Sequence, residues 1–350
     1  MFVSNERKGL HTVANIKDVA KRANVSVATV SRVINNKGYV NAHTRSLVEN
    51  AINDLNYVPN EVARSLFRKS SKMIGIMLYD LKNEFFNEMI SRMEEIIFSH
   101  GYQTVICTIG TDSDREKNYL QMFKTNKFSG LIICTDISPT GINQLPDIPV
   151  VALERIIKDS IPSIDCDNIM GGELAAKNLV SLGCKNILQF TGPLNLACSD
   201  KRSKGFLNIL STLPEITTHS IELDFNNFTE IEISDFLNQH PSVDGVFAAS
   251  DRIAASVLKC LKKIGKKIPE DVKVIGFDNV SITQLIQPTL STIAQPIHAM
   301  SELATNTLFK LINQEIIGEL HQIIPVKLIN RESTQANTRV ITKNDLTNQL

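Results

Sequence analysis

Apolar residues along the chain follow two different periods, and the change falls near residue 72. In IKDVAKRANVSVATVSRVINN, Ile16, Val19, Ala20 and Ala23 recur at helical spacing, and Val27, Val30, Val33 and Ile34 repeat it. Two short helices are predicted, joined where Asn24 can take the left-handed conformation of a tight turn, with Ser26 placed to cap the second. A third helix is expected from about Asn41, with Leu47, Val48, Ala51, Ile52 and Leu55 as its core stripe. From Met73 onward the runs MIGIMLY, TVICTI, GLIICT, PVVAL, NILQF, GVFAA and VKVIGF alternate with amphipathic helical stretches. That is the pattern of buried parallel strands with crossover helices.

The paired short helices predict a helix-turn-helix whose second helix enters a major groove of double-stranded DNA. Its outward face carries Val27, Ala28, Thr29, Ser31 and Arg32. Arg32 can donate twice to guanine O6 and N7, Val27 and Ala28 offer apolar contact, and Thr29 and Ser31 suit phosphate oxygens. After Tyr57 and Pro59, the segment NEVARSL is too short for a helix stable alone in water, since isolated helices below about 12 residues are marginal. Either it forms on DNA, where Leu66 can wedge into a minor-groove base step, or it is a linker helix with Leu66 packed inside.

Charge sharpens this division. The net charge is zero, but residues 1–72 hold 12 Lys+Arg against 5 Asp+Glu, leaving 25 of the 37 basic and 32 of the 37 acidic residues for the remainder. A basic head on an acidic body fits a polyanion binder whose body is not drawn to the polyanion.

The run DVAKRANVSVATVSRVIN, followed at the same separation by YVPNEVARSL, resembles the lactose/galactose/purine (LacI/GalR) repressor family across the whole head. The resemblance implies a homodimer on a pseudo-palindromic operator, recognition by Arg32 with Val27 and Ala28, and a hinge helix inserting Leu66, with Asn60 and Ala63 as further DNA contacts. Val27-Ala28 differs from the polar pairs of some members, so the operator sequence does not carry over.

In the body, polar residues follow the strand ends: Asp80, Glu154 and Arg155, Ser250 and Asp251, and Asp278. Ligand crevices of open α/β sheets lie beyond those ends. Nothing points to catalysis: the sequence has no GxxxxGK[ST], no GxGxxG after the first strand, no GxSxG and no HExxH, and its seven histidines are scattered. The six cysteines are far apart with no CxxC pair, so they read as reduced core residues, and neither a metal nor a cofactor is expected. No run spans a bilayer and no secretory signal opens the chain, so a cytoplasmic protein without membrane contact is expected.

The body is similar to the family's effector domain, which resembles periplasmic sugar-binding proteins. The fold implied is an all-α helix-turn-helix domain joined to an α/β effector domain of two doubly wound parallel-sheet lobes, crossed three times, with the ligand in the hinge. The expected divisions are an extension over 1–15, the DNA-binding domain over 16–59, hinge and linker over 60–72, an N-lobe of 73–163 with 294–322, a C-lobe of 164–293 with 323–338, and a tail over 339–350. Positions matching ribose-binding members are Asn83 with Phe85 and Phe86, Glu154, Arg155, Arg202, Phe225, Asp278 and Gln295, beside Asp80 and Ser250 at strand ends. The two adjacent phenylalanines are expected to sandwich a sugar's apolar face. Ser250 stands where many members have Asn, and Glu154 where Asp is usual, which reshapes the cavity. Leu196 and Cys198, where a purine-binding relative has polar groups, disfavour a purine. The expectation is a repressor of a carbohydrate operon released by a small sugar or sugar phosphate, ribose-, fructose- or sucrose-like. The alternatives are a catabolite-control-type regulator needing a protein or small-molecule corepressor, and a sugar-binding enzyme.

Overall fold

The computed structural model describes residues 14–36, 38–58, 71–110, 112–135 and 139–335. The chain divides into two compact units, Met1–Ser71 and Lys72–Leu350.

In the first unit, α1 (Ile16–Arg22), α2 (Val27–Asn35) and α3 (Ala42–Asp54) surround a small core of Val19, Ala20, Ala23, Val30, Val33, Val48 and Ala51. So few buried side chains leave the helix ends to supply much of the definition. Asn15 and Asp18 form a reciprocal capping box on α1, while Ser26 and Asn41 accept from the backbone amides of Thr29 and Thr44. Asn24 has φ 53°, the left-handed turn expected between the first two helices. Leu47 departs from its expected place: it is 41% exposed, because the buried face of α3 is centred on Val48 and Ala51.

The second unit holds β1 (Met73–Leu78), α4 (Glu84–Ser99), β2 (Gln103–Thr108), α5 (Ser113–Thr125), β3 (Gly130–Cys134), α6 (Pro139–Ile142), β4 (Val150–Leu153), β5 (Ser163–Cys166), α7 (Asn168–Ser181), β6 (Asn186–Thr191), α8 (Ala197–Leu210), β7 (Thr217–Glu222) and α9 (Glu230–Gln239). It continues with β8 (Gly245–Ala248), α10 (Asp251–Lys263), β9 (Lys273–Asp278), α11 (Ile282–Leu285), β10 (Ser291–Ala294), α12 (Ile297–Ile312), β11 (His321–Ile324) and β12 (Lys327–Ile329). Two six-stranded sheets result, ordered β11-β5-β4-β3-β1-β2 and β12-β10-β9-β8-β6-β7. All neighbours are parallel except β10 and β12.

Three crossings link the sheets: after β5, after β10 and between β11 and β12. Their places correct the expected lobe boundaries by a few residues. Ser163–Cys166 stay in the first sheet because they pair with β4 and β11, so the first crossing follows Cys166. Ala294 pairs with Asp278 in the second sheet, and β11 holds the first sheet to Ile324. Both sheets end at these crossings, so the residues just beyond β4, β9 and β10 converge on one region.

Candidate functional site: an interlobe cavity and an exposed recognition helix

A cavity of about 410 Å³ lies where the two sheets meet, lined by Asn83, Phe85, Phe86, Glu154, Arg155, Arg202, Phe225, Ser250, Asp278 and Gln295 among others. Asp80 is absent from this wall: its carboxylate turns back onto its own loop and accepts from the Lys82 amide at 2.9 Å. Leu196 and Cys198, expected near the ligand, do line the wall.

Arg202 organises the floor. It projects from α8 and is only 5% exposed. Its Nε donates to Asn168 Oδ1 at 2.8 Å, its Nη1 donates to the Ala249 carbonyl at 2.7 Å and stands 3.5 Å from Asp278 Oδ1, and its plane lies 3.7 Å from the Phe277 ring centroid. Burial opposes that charge, but Asp278 and neighbouring groups, Glu154 included, hold the guanidinium above its ordinary value. Burial has the opposite consequence for Asp278. It raises the carboxyl to about 7, although Arg202 and the Gln295 amide both favour the ionised form. Asp251, fully buried beneath, is also pushed up by burial and by Asp278, while accepting from the Val280 amide and the Thr292 hydroxyl.

Glu154 behaves differently from its expected role. Its backbone is left-handed, φ 56°, and the side chain reaches Cys166 N at 2.8 Å and Asn168 Nδ2 at 3.0 Å. The methylene by which Glu exceeds Asp lets the carboxylate grip the first crossing, so both oxygens are already accepting before any ligand arrives. Phe85 and Phe86 also depart from expectation. Their centroids are 5.3 Å apart at 68°, an edge-on pair that forms a corner of the wall and cannot enclose a sugar between them. Ser250 lines the cavity but caps α10, its hydroxyl accepting from Ile253 N. Asn83 caps α4 by accepting from Phe85 N at 3.0 Å. Phe225 and Arg155 stand on the wall as expected.

Asn168 is the bridging position that the sequence did not disclose. It is 2% exposed at the start of α7 and joins Glu154 to Arg202. A chain of polar contacts thus runs Glu154, Asn168, Arg202, Asp278, Gln295, touching the crossings after β5 and after β10. The signal was there in SIDCDN, an Asn just after a strand, but Asp165 interrupts the apolar run that would mark the strand. Between the lobes, Ser281 N also donates to Glu88 Oε1 at 3.0 Å.

The described cysteines are all free thiols, and burial pushes Cys134, on the cavity wall, up to about 12, so it adds no charge. No group of metal-ligating residues exists among the described residues, and none of the described helices is long and apolar enough to cross a membrane.

On α2, Val27 is 41% exposed and Ala28 and Arg32 are exposed, while Thr29 and Ser31 are half-buried. Thr29 shares a 2.9 Å hydrogen bond with the Ser26 hydroxyl, and Ser31 Oγ accepts from Asn35 Nδ2. Arg32 forms no ion pair with the described residues. Asn60, Ala63 and Leu66 lie outside the described residues.

Comparison with known proteins agrees with both parts. Residues 15–60 match the family of bacterial regulatory proteins, lacI family, and residues 176–334 match the periplasmic binding protein-like domain. The ribose operon repressor of Halalkalibacterium halodurans is 36% identical over 324 residues, covering 92% of this chain and 98% of that protein. The lac repressor dimer bound to operator and the anti-inducer ONPF aligns with TM-score 0.83 at 26% identity, over 93% of this chain and all of that one. A periplasmic binding protein/LacI transcriptional regulator from Alkaliphilus metalliredigens, complexed with D-xylulofuranose, aligns with TM-score 0.68 at 36% identity, over 76% of this chain and all of that one. The chain belongs to the lacI family of bacterial regulatory proteins.

Proposed function

We propose that this protein represses a carbohydrate-utilisation operon, and that a small sugar in the interlobe cavity releases it from operator DNA. The observation that carries this reading is the buried Arg202–Asp278–Gln295 cluster facing a cavity flanked by Phe86 and Phe225. Bidentate polar groups suit neighbouring hydroxyls, and aromatic faces suit the C–H side of a sugar. The ribose, sugar and operator named for its relatives support the same reading. Val27, Ala28 and Arg32 read base edges, Thr29 and Ser31 contact phosphate, and Asn60, Ala63 and Leu66 engage DNA from the hinge. The protein acts as a homodimer, is not an enzyme, and works in the cytoplasm where the chromosome is.

The mechanism is linkage. Sugar prefers one arrangement of the lobes, operator DNA the other, and each ligand shifts the population away from the form the other needs. The test is binding of the purified protein to fragments of its own promoter regions, followed by fluorescence anisotropy with and without pentoses, hexoses and disaccharides. Affinity for one fragment should fall steeply with salt, as counterion release requires, and fall again when the effector is added. Salt-insensitive binding, or a protein partner required for any operator binding, would contradict the reading.

A further inference from the structure

The turn that carries Asp278 is strained. Asp278 and Asn279 are consecutive non-glycine residues with positive φ, 119° and 64°, conformations that persist only where surrounding contacts impose them. Within the second lobe, Asp251 accepts from Val280 N at 3.0 Å and Arg331 donates to Asn279 Oδ1 at 2.6 Å. A further restraint crosses from the first lobe, where Glu88 of α4 accepts from Ser281 N at 3.0 Å. Serine is a favoured helix cap, yet the Ser281 hydroxyl makes no cap bond to α11, so the carboxylate of the other lobe holds this end of the turn.

A second contact joins the same two edges. Arg252, in the first turn of α10, donates from Nη1 to the Lys82 carbonyl at 3.4 Å. Lys82 sits on the loop after β1, which is fixed from within: Asp80 accepts from Lys82 N at 2.9 Å, and Asn87 Nδ2 donates to the Leu81 carbonyl at 3.3 Å. Asp80, which the strand-end pattern placed at the ligand, thereby shapes the loop that meets Arg252. Lys82, Glu88, Arg252 and Ser281 all stand outside the cavity wall, but each lies within three residues of one that lines it: Asn83, Phe86, Ser250 and Asp278.

Taking the cavity as a sugar site, as proposed above, we infer that Glu88 is a positioning residue for the effector: with Arg252 it latches the rim of the cavity shut, and it pins the strained turn so that Asp278 faces the ligand. Separation of the lobes breaks both contacts and frees the turn, so Asp278 moves as the ligand leaves. Glu88 acts through this turn and not by touching the ligand, since it stands behind the wall. Its bond is charge-assisted and half-buried, and it outweighs the longer, exposed contact of Arg252.

The experiment pairs calorimetric titration of the full-length protein with D-ribose, D-xylulose, D-fructose and sucrose, and amide hydrogen exchange over residues 279–285, where the Ser281 amide reports the latch directly. Glu88→Ala should weaken the sugar that the parent binds by about tenfold and Arg252→Ala by about threefold, while Glu88→Gln, which keeps an acceptor oxygen, should stay within about twofold. In the parent, sugar should slow exchange at Ser281; in Glu88→Ala that amide should exchange fast with or without sugar. Sugar affinity or Ser281 exchange in Glu88→Ala equal to the parent's overturns the inference and leaves the sugar-sensor reading standing. If none of the four sugars binds the parent, that reading fails, and exchange in the sugar-free proteins still decides the latch: faster exchange at Ser281 in Glu88→Ala supports it, and an unchanged rate overturns it.

Discussion

Arg202 carries two duties at once, and they change what its removal should do. Asn168 and the Ala249 carbonyl would each lose a donor in a buried place, and Asp278 would lose its cation while keeping the Gln295 amide. Breaking a buried ion pair on one side costs about 3–5 kcal/mol, so Arg202→Ala should lower stability by that order as well as abolish the sugar response. Denaturant unfolding measures the first and sugar-induced thermal stabilisation the second; an unchanged melting curve would contradict the network described. Asp278 makes the site pH-sensitive. Burial raises it from 3.8 to about 7, so between those values the folded chain holds a proton that the unfolded chain releases. The stability this confers is complete below the unfolded value and lost as pH rises through about 7. Buried Asp251 adds in the same direction, and Arg202 and Gln295 moderate it. Sugar hydroxyls donate to the ionised carboxylate, so affinity should rise by up to about tenfold from pH 6 to pH 8 with proton release on binding, and Asp278→Asn should flatten the profile. Calorimetry in buffers of different ionisation enthalpy checks this, and affinity that falls with rising pH would contradict it.

At the scale of elements, backbone contact between α7 and α8 sets where Arg202 stands. A Cβ on Gly172 would collide with the Arg202 carbonyl, and one on Gly205 with the Ile169 carbonyl, so both helices need glycine where they cross. Gly172→Ala should push α8 away, costing about 1–3 kcal/mol and weakening sugar binding although no atom of residue 172 lines the cavity. Sugar titration of the variant would contradict this if the affinity were that of the parent. In the head, α2 presents Arg32 on its open face, and Arg32→Ala should lose about 1–3 kcal/mol of discrimination at one guanine. Equal weakening on every sequence, measured against operators substituted base by base, would make Arg32 a phosphate contact. These elements differ in how plainly the sequence announces them. The head was legible to its caps, because Asn24, Ser26 and Asn41 each have one strong local preference. The seven apolar runs of the body became strands, but β5, β7, β10, β11 and β12 gave no such run. They are short or lie at sheet edges, and β7, TTHSIE, exposes most of its residues, so neither face needs to be apolar. The cavity residues were legible mainly at strand ends. The anchoring role of Glu154 and the bridging role of Asn168 were not, since both depend on how far a side chain reaches across a crossing.

For the whole molecule, the basic head and acidic body divide the work: one part is attracted to a polyanion, the other holds a small ligand between two sheets. The polar chain from Glu154 to Gln295 connects the ligand cavity to two of the three crossings, so a ligand that alters Arg202 or Asp278 acts directly on the segments about which the lobes can move. Coupling between sugar and operator is therefore the central claim, and thermodynamics requires it to be reciprocal. The most direct measurement is sugar affinity of the full-length protein with and without saturating operator, set beside operator affinity with and without saturating sugar. The account predicts that each ligand weakens the other by the same factor, between about 5 and 150. Sugar affinity unaltered by saturating operator would contradict it.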